Sequence, residues 1–263
     1  MRKSRRIIIV LGVLFVVAFS SAAYLRTKYI PAILMYHSVC PNPAPKNLLA
    51  VSVSSFERQM RFLKERRYNV ITIESLADLI RQKKKIPPKS IAITFDDGYK
   101  DNYTYAFPIL KKYKLPATIF IITNEVGRPD GSRLNWEEIL AMRDSGLISF
   151  GSHCLGPEPL TKIKSQEEVK RQIFASKAVL EEKLGRKVNI FSYPEGRFNA
   201  IIKQLVIDAG YQAAVATNPG KRFPSDDIFA LKRLRISANC NNPFVFWIET
   251  SGYYNFMREY KRK

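Results

Sequence analysis

One ten-residue stretch, Ser90-Ile-Ala-Ile-Thr-Phe-Asp-Asp-Gly-Tyr99, constrains the fold more than any other part of the chain. The residues before the two acids are apolar or β-branched, which is typical of a strand buried on both faces. The strand stops at Asp96 and Asp97, and Gly98 then permits a sharp backbone turn. An isolated Asp-Asp-Gly is also a common turn signal. The stretch nevertheless predicts two carboxylates at the carboxyl end of a strand, where α/β folds gather ligand and catalytic groups.

Strand-like and helix-like segments alternate along the chain after residue 31. The predicted strands cover residues 32–37, 69–72, 90–95, 116–123, 147–153, 188–193, 212–217 and 234–236, and the predicted helices cover 54–67, 73–84, 101–113, 136–145, 166–184 and a segment ending at 209. Ser54 with Glu57, and Ser165 with Glu168, have the spacing of capping boxes. Such alternation indicates parallel strands joined by right-handed crossovers. We therefore predict an α/β fold, an irregular (β/α) barrel rather than an open doubly wound sheet.

The amino-terminal segment differs in character from the rest of the chain. Four basic residues within the first six positions precede the 19 uncharged residues Ile7 to Leu25. Such a run is either an uncleaved membrane anchor, which its length favours, or a cleaved export signal, for which Ser20 to Ala23 supply small residues. We predict a hydrophobic leader helix in residues 1–28 and one catalytic domain in residues 29–263. The positive-inside rule places that domain outside the cytoplasm, held at the cell membrane by a single span or secreted if the leader is cleaved.

The chain is strongly basic, with a formal net charge of +20. Four of these charges precede the apolar run, which leaves +16 on the remainder. This balance predicts residence beside a polyanionic surface or an acidic polysaccharide. Because the chain has no nucleic-acid-binding motif, we expect no nucleic acid partner. Three cysteines, Cys40, Cys154 and Cys240, neither define a disulfide framework nor have the spacing of a structural zinc site.

Four predicted strand ends carry polar residues that would meet at one rim of a barrel. These are His37, the acid pair Asp96 and Asp97, His153, and the turn Pro194-Glu-Gly196. A single histidine at a strand end is more often structural, but both histidines of the chain fall at this rim. Aspartate together with histidine is ligand chemistry for a divalent metal ion. The pattern therefore predicts a catalytic metal site.

Several motifs resemble the polysaccharide deacetylases of carbohydrate esterase family 4, which share the NodB-homology domain. The match covers nearly all of the chain after the leader, and its layout is similar to the branch that includes the poly-N-acetylglucosamine de-N-acetylases. The motifs that carry it are Thr94-Phe-Asp-Asp-Gly-Tyr99, Leu34-Met-Tyr-His37, Val51-Ser-Val-Ser-Ser-Phe56, Leu115-Pro-Ala-Thr-Ile-Phe120, Gly151-Ser-His153 and Tyr193-Pro-Glu-Gly196. The resemblance implies an irregular (β/α)7 barrel that removes N-acetyl groups from an N-acetylated polysaccharide with the help of a divalent metal ion.

The resemblance also implies roles for individual residues. Asp96 would be the general base that takes a proton from water, and His37 the general acid that protonates the departing amine. Asp97 and His153 would bind the metal ion, which is zinc, nickel, cobalt or iron. In the turn that begins at Pro194, the backbone N–H of Glu195 would help to hold the oxyanion.

One position departs from the family pattern. The family's second motif has another histidine four residues after the first, and here that position is Pro157, which cannot bind a metal ion. Three outcomes stay open from the sequence: Glu158 supplies the third ligand, a water molecule fills the position, or metal binding is lost. Cys154 is less favoured, because neighbouring residues of a strand point to opposite sides, and a Cys40–Cys154 disulfide stays open.

Two kinds of function therefore remain. The first is metal-dependent de-N-acetylation of a cell-envelope or extracellular polysaccharide, which the retained acids and histidines favour. The second is a catalytically inactive relative that binds glycan or serves as a scaffold, which Pro157 favours. A related amidase acting on a different amide is a weaker third possibility.

Overall fold

The core of the protein is a parallel β-sheet accompanied by helices. The computed structural model describes residues 11, 15–17, 19, 20, 31–44, 46–217, 227–237 and 242–254. Its strands are β1 (Ala32–Tyr36), β2 (Ser38–Cys40), β3 (Ala50–Ser52), β4 (Asn69–Val70), β5 (Ser90–Phe95), β6 (Ala117–Ile121), β7 (Ile148–Ser152), β8 (Ile190–Ser192), β9 (Ala213–Ala216), β10 (Leu231–Lys232) and β11 (Leu234–Arg235). Its α-helices are α1 (Val53–Glu65), α2 (Ile73–Arg81), α3 (Phe107–Tyr113), α4 (Trp136–Asp144), α5 (Gln166–Leu184), α6 (Ala200–Asp208) and α7 (Pro243–Thr250).

The sheet curls into a barrel because one segment pairs at both of its ends. The strand order is β10-β9-β8-β7-β6-β5-β1-β11, and the pairs along it are parallel. Since β10 and β11 are separated only by Arg233, the same short segment pairs with β9 through Leu231 and with β1 through Leu234. The circuit therefore has seven positions, consistent with a (β/α)7 barrel, and the expected barrel-like parallel sheet is confirmed. It is irregular, because β4 and β6 share one edge of β5.

Alternate strand residues enter two separate apolar clusters. Ile33 and Ala92 pack in a cluster that also includes Leu76 of α2, whereas their neighbours Leu34 and Ile93 belong to the larger cluster, which contains apolar residues of α1, α3, α4 and α5. Successive side chains of a strand point to opposite faces, so both faces of these strands are buried. This double burial explains why the strands read as continuous apolar runs.

Of the two capping boxes predicted from the sequence, one is half right and the other is wrong. Ser165 caps α5, where its side chain accepts a hydrogen bond from the backbone of Glu168, and Gly185 ends that helix in the left-handed conformation. The Glu168 carboxylate, however, accepts from Arg171 and Gln172 and not from the backbone of Ser165. The capping box predicted at Ser54 is wrong. Ser52 caps α1 instead, because β3 runs directly into the helix and leaves no linker.

The predicted leader helix lies mostly outside the described residues. Leu11, Phe15 to Val17, Phe19 and Ser20 are described, and they are helical. Within the part of the chain that the structure describes, no helix is long and apolar enough to cross a membrane. The boundary at residue 28 stays a prediction.

Candidate active site

A cavity lies at the carboxyl ends of the strands. Its volume is about 320 Å³, at the lower end of the range of roughly 300–1,000 Å³ that is usual for ligand pockets. It brings together residues that follow four strands, β1, β5, β7 and β8, as the sequence predicted. The lining residues are Met35, His37, Leu49, Asp96, Asp97, Ile122, Arg133, His153, Pro157, Glu195, Thr217 and Arg235.

Asp96 is held by a buried arginine. The guanidinium of Arg233 donates one hydrogen bond to each carboxylate oxygen of Asp96, both at 2.6 Å, and both side chains are almost fully buried. The guanidinium of Arg233 also donates to the hydroxyl groups of Thr94 and Ser192, and these hydrogen bonds fix its orientation. Burial by itself would raise the pKa of Asp96, but the charge of Arg233, aided by His153 and His37, outweighs it and lowers the pKa to about 2. The site therefore holds an oriented carboxylate.

Asp97 and His153 face each other on the wall of the cavity. The distance from Nε2 of His153 to Oδ1 of Asp97 is 3.5 Å. Nδ1 of His153 lies 2.8 Å from the carbonyl oxygen of Ser192, which can only accept a hydrogen bond. Nδ1 therefore donates a hydrogen bond to this carbonyl, and Nε2 is the ring nitrogen that points towards Asp97. A carbonyl that fixes the outer nitrogen of a histidine is the usual support of a metal ligand.

The backbone around this pair is strained in a way that fits a site. Asp97 has φ of 70° and Cys154, next to His153, has φ of 69°. Side-chain-bearing residues adopt this left-handed region at a cost and cluster at functional sites when they do. Gly98 follows with φ of 64°, and a Cβ atom there would lie 2.9 Å from Ile121. Close packing against β6 thus turns the chain sharply after the two acids.

These two donors fit a divalent metal ion, but the third ligand predicted from the sequence is not in place. Pro157 lines the cavity, whereas Glu158 is exposed and does not. Prolines on both sides of Glu158 restrict its backbone and hold its side chain towards solvent. Accordingly, the described residues contain no group of three or more histidine, cysteine, aspartate or glutamate side chains able to hold a metal ion.

The cysteines do not supply the missing ligand. Cys154 is fully buried, and burial raises the pKa of its thiol well above the ordinary value, so the thiol stays protonated. Cys40 and Cys154 are both free thiols, so the structure does not contain the Cys40–Cys154 disulfide that the sequence left open. Cys240 lies outside the described residues.

His37 is positioned through its backbone. The side-chain amide of Asn102 donates a hydrogen bond of 2.8 Å to the carbonyl oxygen of His37, while the imidazole Nδ1 is buried without a hydrogen-bond partner. Burial lowers the pKa of His37, although the charges of Asp96 and Asp97 oppose that effect. The neutral imidazole is therefore favoured at neutral pH. Asn102 begins a π-helical turn, Asn102–Ala106, a feature often found beside functional sites.

The turn after β8 is formed by Pro194–Gly196. Glu195 has φ of 54°, and the N–H groups of Gly196 and Arg197 make the hydrogen bonds that close the turn. The side chain of Glu195 lies within 3.2 Å of Arg197 and 3.9 Å of Lys162. Pro194 is buried, and Glu195 lines the cavity.

Three arginines at the site were not predicted. Arg233 neutralises Asp96, and Arg133 and Arg235 line the cavity. The sequence did carry a signal for two of them, because Arg233 and Arg235 stand two positions apart beside a predicted strand. Period-two spacing places both side chains on one face of the chain.

The fold and the rim of acids and histidines define a hydrolase of the polysaccharide deacetylase class. The sequence profile of the polysaccharide deacetylase family matches residues 83–214, and the chain belongs to that family. This confirms the resemblance seen in the motifs. The chain is accordingly an enzyme of a family that hydrolyses carbon–nitrogen bonds other than peptide bonds in polysaccharides.

Named relatives agree with this assignment. The chain is 34% identical over 234 residues to the Bacillus subtilis protein YxkH, which is classed by name as a polysaccharide deacetylase, and the match covers 88% of this chain and 81% of YxkH. It is 29% identical over 198 residues to the poly-beta-1,6-N-acetyl-D-glucosamine N-deacetylase of Staphylococcus aureus, covering 72% of this chain and 68% of the relative.

Solved structures show the same fold. The Streptococcus pyogenes deacetylase PplD, determined with acetate, superposes with a TM-score of 0.73 at 27% identity over 87% of this chain and 97% of PplD. IcaB from Ammonifex degensii superposes with a TM-score of 0.72 at 26% identity over 84% of this chain and 97% of IcaB.

Proposed function

We propose that the protein is a metal-dependent de-N-acetylase that hydrolyses the N-acetyl groups of a cell-envelope or extracellular polysaccharide and releases acetate. One observation carries the proposal: Asp97 and Nε2 of His153 face each other at 3.5 Å on the wall of a cavity that Asp96 and His37 also line. The named relatives that remove acetyl groups from poly-N-acetylglucosamine support the same substrate class.

Asp97 and His153 would hold the metal ion, which is zinc, nickel, cobalt or iron. When bound, such an ion lowers the pKa of water and polarises the amide carbonyl. Pro157 leaves the third protein position open, so we propose that a water molecule fills it or that Glu158 reaches it after a loop shift.

Asp96 and His37 would carry the proton. Asp96 is ionised at neutral pH because of Arg233, and its fixed carboxylate can accept the proton of the attacking water. The water oxygen then bonds to the amide carbon, the carbon–nitrogen bond breaks, and the amine nitrogen takes up a proton. His37 is neutral in the free site, so it can protonate the amine only after it has received the proton that Asp96 accepted from water. The negative charges of both aspartates favour this uptake by His37. The N–H of Glu195 would stabilise the oxyanion.

The test is to measure bound metal and acetate release in the full chain, solubilised in a mild detergent. We expect acetate from N-acetylglucosamine oligomers, and we expect a chelator to abolish it. Asp97→Asn and His153→Gln should lose both metal and acetate, whereas Asp96→Asn should keep the metal and lose acetate. Activity that survives the chelator or Asp96→Asn would refute these roles.

Glu158→Gln is the matched variant for the third ligand. If Glu158 binds the metal ion, the affinity for metal should fall by about 10- to 100-fold, as for the loss of one supporting group at a metal site. If water fills the position, the affinity should not change.

The alternative function is an inactive relative that binds glycan, and Pro157 at the cavity wall is the observation that favours it. Pro157→His would restore the histidine of the family motif. Absence of metal and acetate in both the parent and Pro157→His would support the inactive relative over the enzyme.

We further propose that the domain works outside the cytoplasm, attached through its amino-terminal segment or secreted after cleavage. The basic cluster and the uncharged run in residues 1–28 support this location. Amino-terminal sequencing of the mature protein would show whether the leader is retained, and protease treatment of intact cells would show whether the domain is outside.

A further inference from the structure

We propose that the site selects an acidic glycan, in which a carboxylate or phosphate group beside the reacting N-acetyl sugar is held by Arg133 and Arg235. The inference rests on the proposed function, because it concerns the substrate of the same cavity. Its basis is the placement of two guanidinium groups around the acids and histidines of the site.

Arg133 is fixed in the cavity wall with unused hydrogen-bonding capacity. Its backbone pairs with Tyr99, just after the two acids, and its guanidinium lies 4.0 Å from the centre of the Tyr99 ring. Nε and Nη1 are buried and have no hydrogen-bond partner, since the closest carboxylate oxygen, on Glu125, is 3.6 Å from Nε. Leaving buried donors unpaired is costly. An anion that entered the cavity would supply the missing acceptor.

Arg235 reaches the cavity from a different strand of the barrel, β11. It stands two residues after Arg233, so both side chains leave the strand on the same face. Arg233 is buried on Asp96, whereas Arg235 lies one step nearer the carboxyl end, exposed at the cavity mouth. No described residue forms an ion pair with Arg235. The planar guanidinium fork of an unpaired arginine suits a carboxylate or phosphate group.

The acids that line the cavity do not neutralise Arg133 or Arg235. Arg133 shares Glu125, which lies outside the lining, with Arg128. Asp96 is neutralised by Arg233, and Glu195 lies beside Lys162 and Arg197. Asp97 is the remaining carboxylate of the lining, and it faces His153. With a metal ion on Asp97 and His153, the cavity would be positive. The net charge that remains without the four basic residues of the leader, 20 − 4 = +16, would attract a polyanion to it.

The contacts of Arg133 also suit a purely structural role, because its backbone ties the loop before α4 to the chain after Asp97. Leu134 donates to Gly98 and Lys100 donates to Ser132 in the same small ladder. The side chain of Arg235 forms no hydrogen bond or ion pair with the described residues, so its substitution separates recognition from folding. Arg128 in the same loop pairs with Glu125 but does not line the cavity, and it provides the matched control.

The test measures binding and acetate release with matched oligosaccharides and the full chain. One oligomer alternates N-acetylglucosamine with a uronic acid, and its partner is the same oligomer with the carboxyl groups reduced to alcohols. N-acetylglucosamine oligomers with and without 6-phosphate form the second pair and distinguish phosphate from carboxylate. Dissociation constants come from isothermal titration, and kcat/KM comes from acetate release.

We expect the dissociation constant of at least one acidic oligomer to be lower than that of its neutral partner by about tenfold or more. Hydrogen bonds to charged groups contribute enough binding free energy for a difference of this size. Arg235→Gln should remove most of the preference for the acidic oligomer, Arg133→Lys should weaken that preference, and Arg128→Gln should keep it. Equal binding of both pairs would overturn the inference while leaving the proposed function intact if acetate is still released. Preference for the acidic oligomer without acetate from any oligomer would support acidic recognition and refute the proposed function.

Discussion

Removing the arginine that neutralises Asp96 should destabilise the fold in a pH-dependent way. In the variant Arg233→Met, the Asp96 carboxylate stays buried but loses both of its 2.6 Å hydrogen bonds. Breaking a buried ion pair by removing one partner costs about 3–5 kcal/mol of unfolding free energy. The pKa gives an independent figure: lowering it from 3.8 to about 2 corresponds to roughly 2 kcal/mol of stability.

The direction of the pH effect follows from the sign of that shift. Because the pKa of Asp96 is lower in the folded protein than in the unfolded chain, its contribution to wild-type stability is fully present above pH 3.8 and is lost as the pH falls through about 2. In Arg233→Met, burial without the arginine raises the pKa of Asp96, so the carboxyl group takes up a proton at higher pH and ceases to be a buried charge. The difference in unfolding free energy between wild type and Arg233→Met should therefore be smaller at pH 4 than at pH 7.

The assay is urea unfolding followed by tryptophan fluorescence, with a chelator present so that metal binding does not contribute. The double variant Arg233→Met/Asp96→Asn should recover part of the lost stability, because it carries no buried charge. Lys112→Met, which breaks an exposed ion pair with Glu57, is the control and should change little. Equal deficits of Arg233→Met at pH 7 and pH 4, or no recovery in the double variant, would refute the reasoning.

Three further predictions concern the same rim. Burial lowers the pKa of His37 below 6.5, so on acidification the unfolded chain binds a proton before the folded protein does, and the free energy of unfolding falls as the pH drops below 6.5. His37→Gln should reduce this loss of stability. The measurement is the urea midpoint of each protein at pH 7.5 and at pH 5.5. Gly196→Ala should destabilise by more than about 1 kcal/mol in thermal unfolding, because φ is 68° and a Cβ atom would lie 2.4 Å from the backbone nitrogen of Thr217; a wild-type melting temperature would contradict this. Cys154, buried with a raised thiol pKa, should resist alkylation by iodoacetamide in the native protein while Cys40 reacts, as peptide mass mapping would show; equal labelling would argue against the buried thiol.

The sequence by itself determined which strands are buried and what stands at their ends. Continuous apolar runs such as Ile91 to Phe95 predict strands covered on both faces, and the polar residue after each run marks the carboxyl end. This local pattern was enough to predict that His37, Asp96 and His153 lie at one rim, because parallel strands place their carboxyl ends on the same side of a sheet. The structure places all three around one cavity.

Local signals were weaker where two elements meet without a linker. Ser54 and Glu57 have the capping-box spacing, yet Ser52 caps α1 because β3 ends there. Asn135 and Glu138 form a complete capping box at α4 that was not identified. Cap geometry depends on where the preceding element stops, which a spacing rule does not contain.

Only the tertiary structure decided which partner each polar side chain meets. Arg233 reaches Asp96 across 137 residues of sequence, and β10 and β11 close the barrel on the two sides of that arginine. Glu158 lies next to Pro157 in sequence but faces solvent, whereas Arg133, whose nearest cavity neighbour in sequence is Ile122, enters the wall. Spacing along the chain sets the direction of a side chain within its own strand or turn, and pairings over such separations are set by the closure of the barrel.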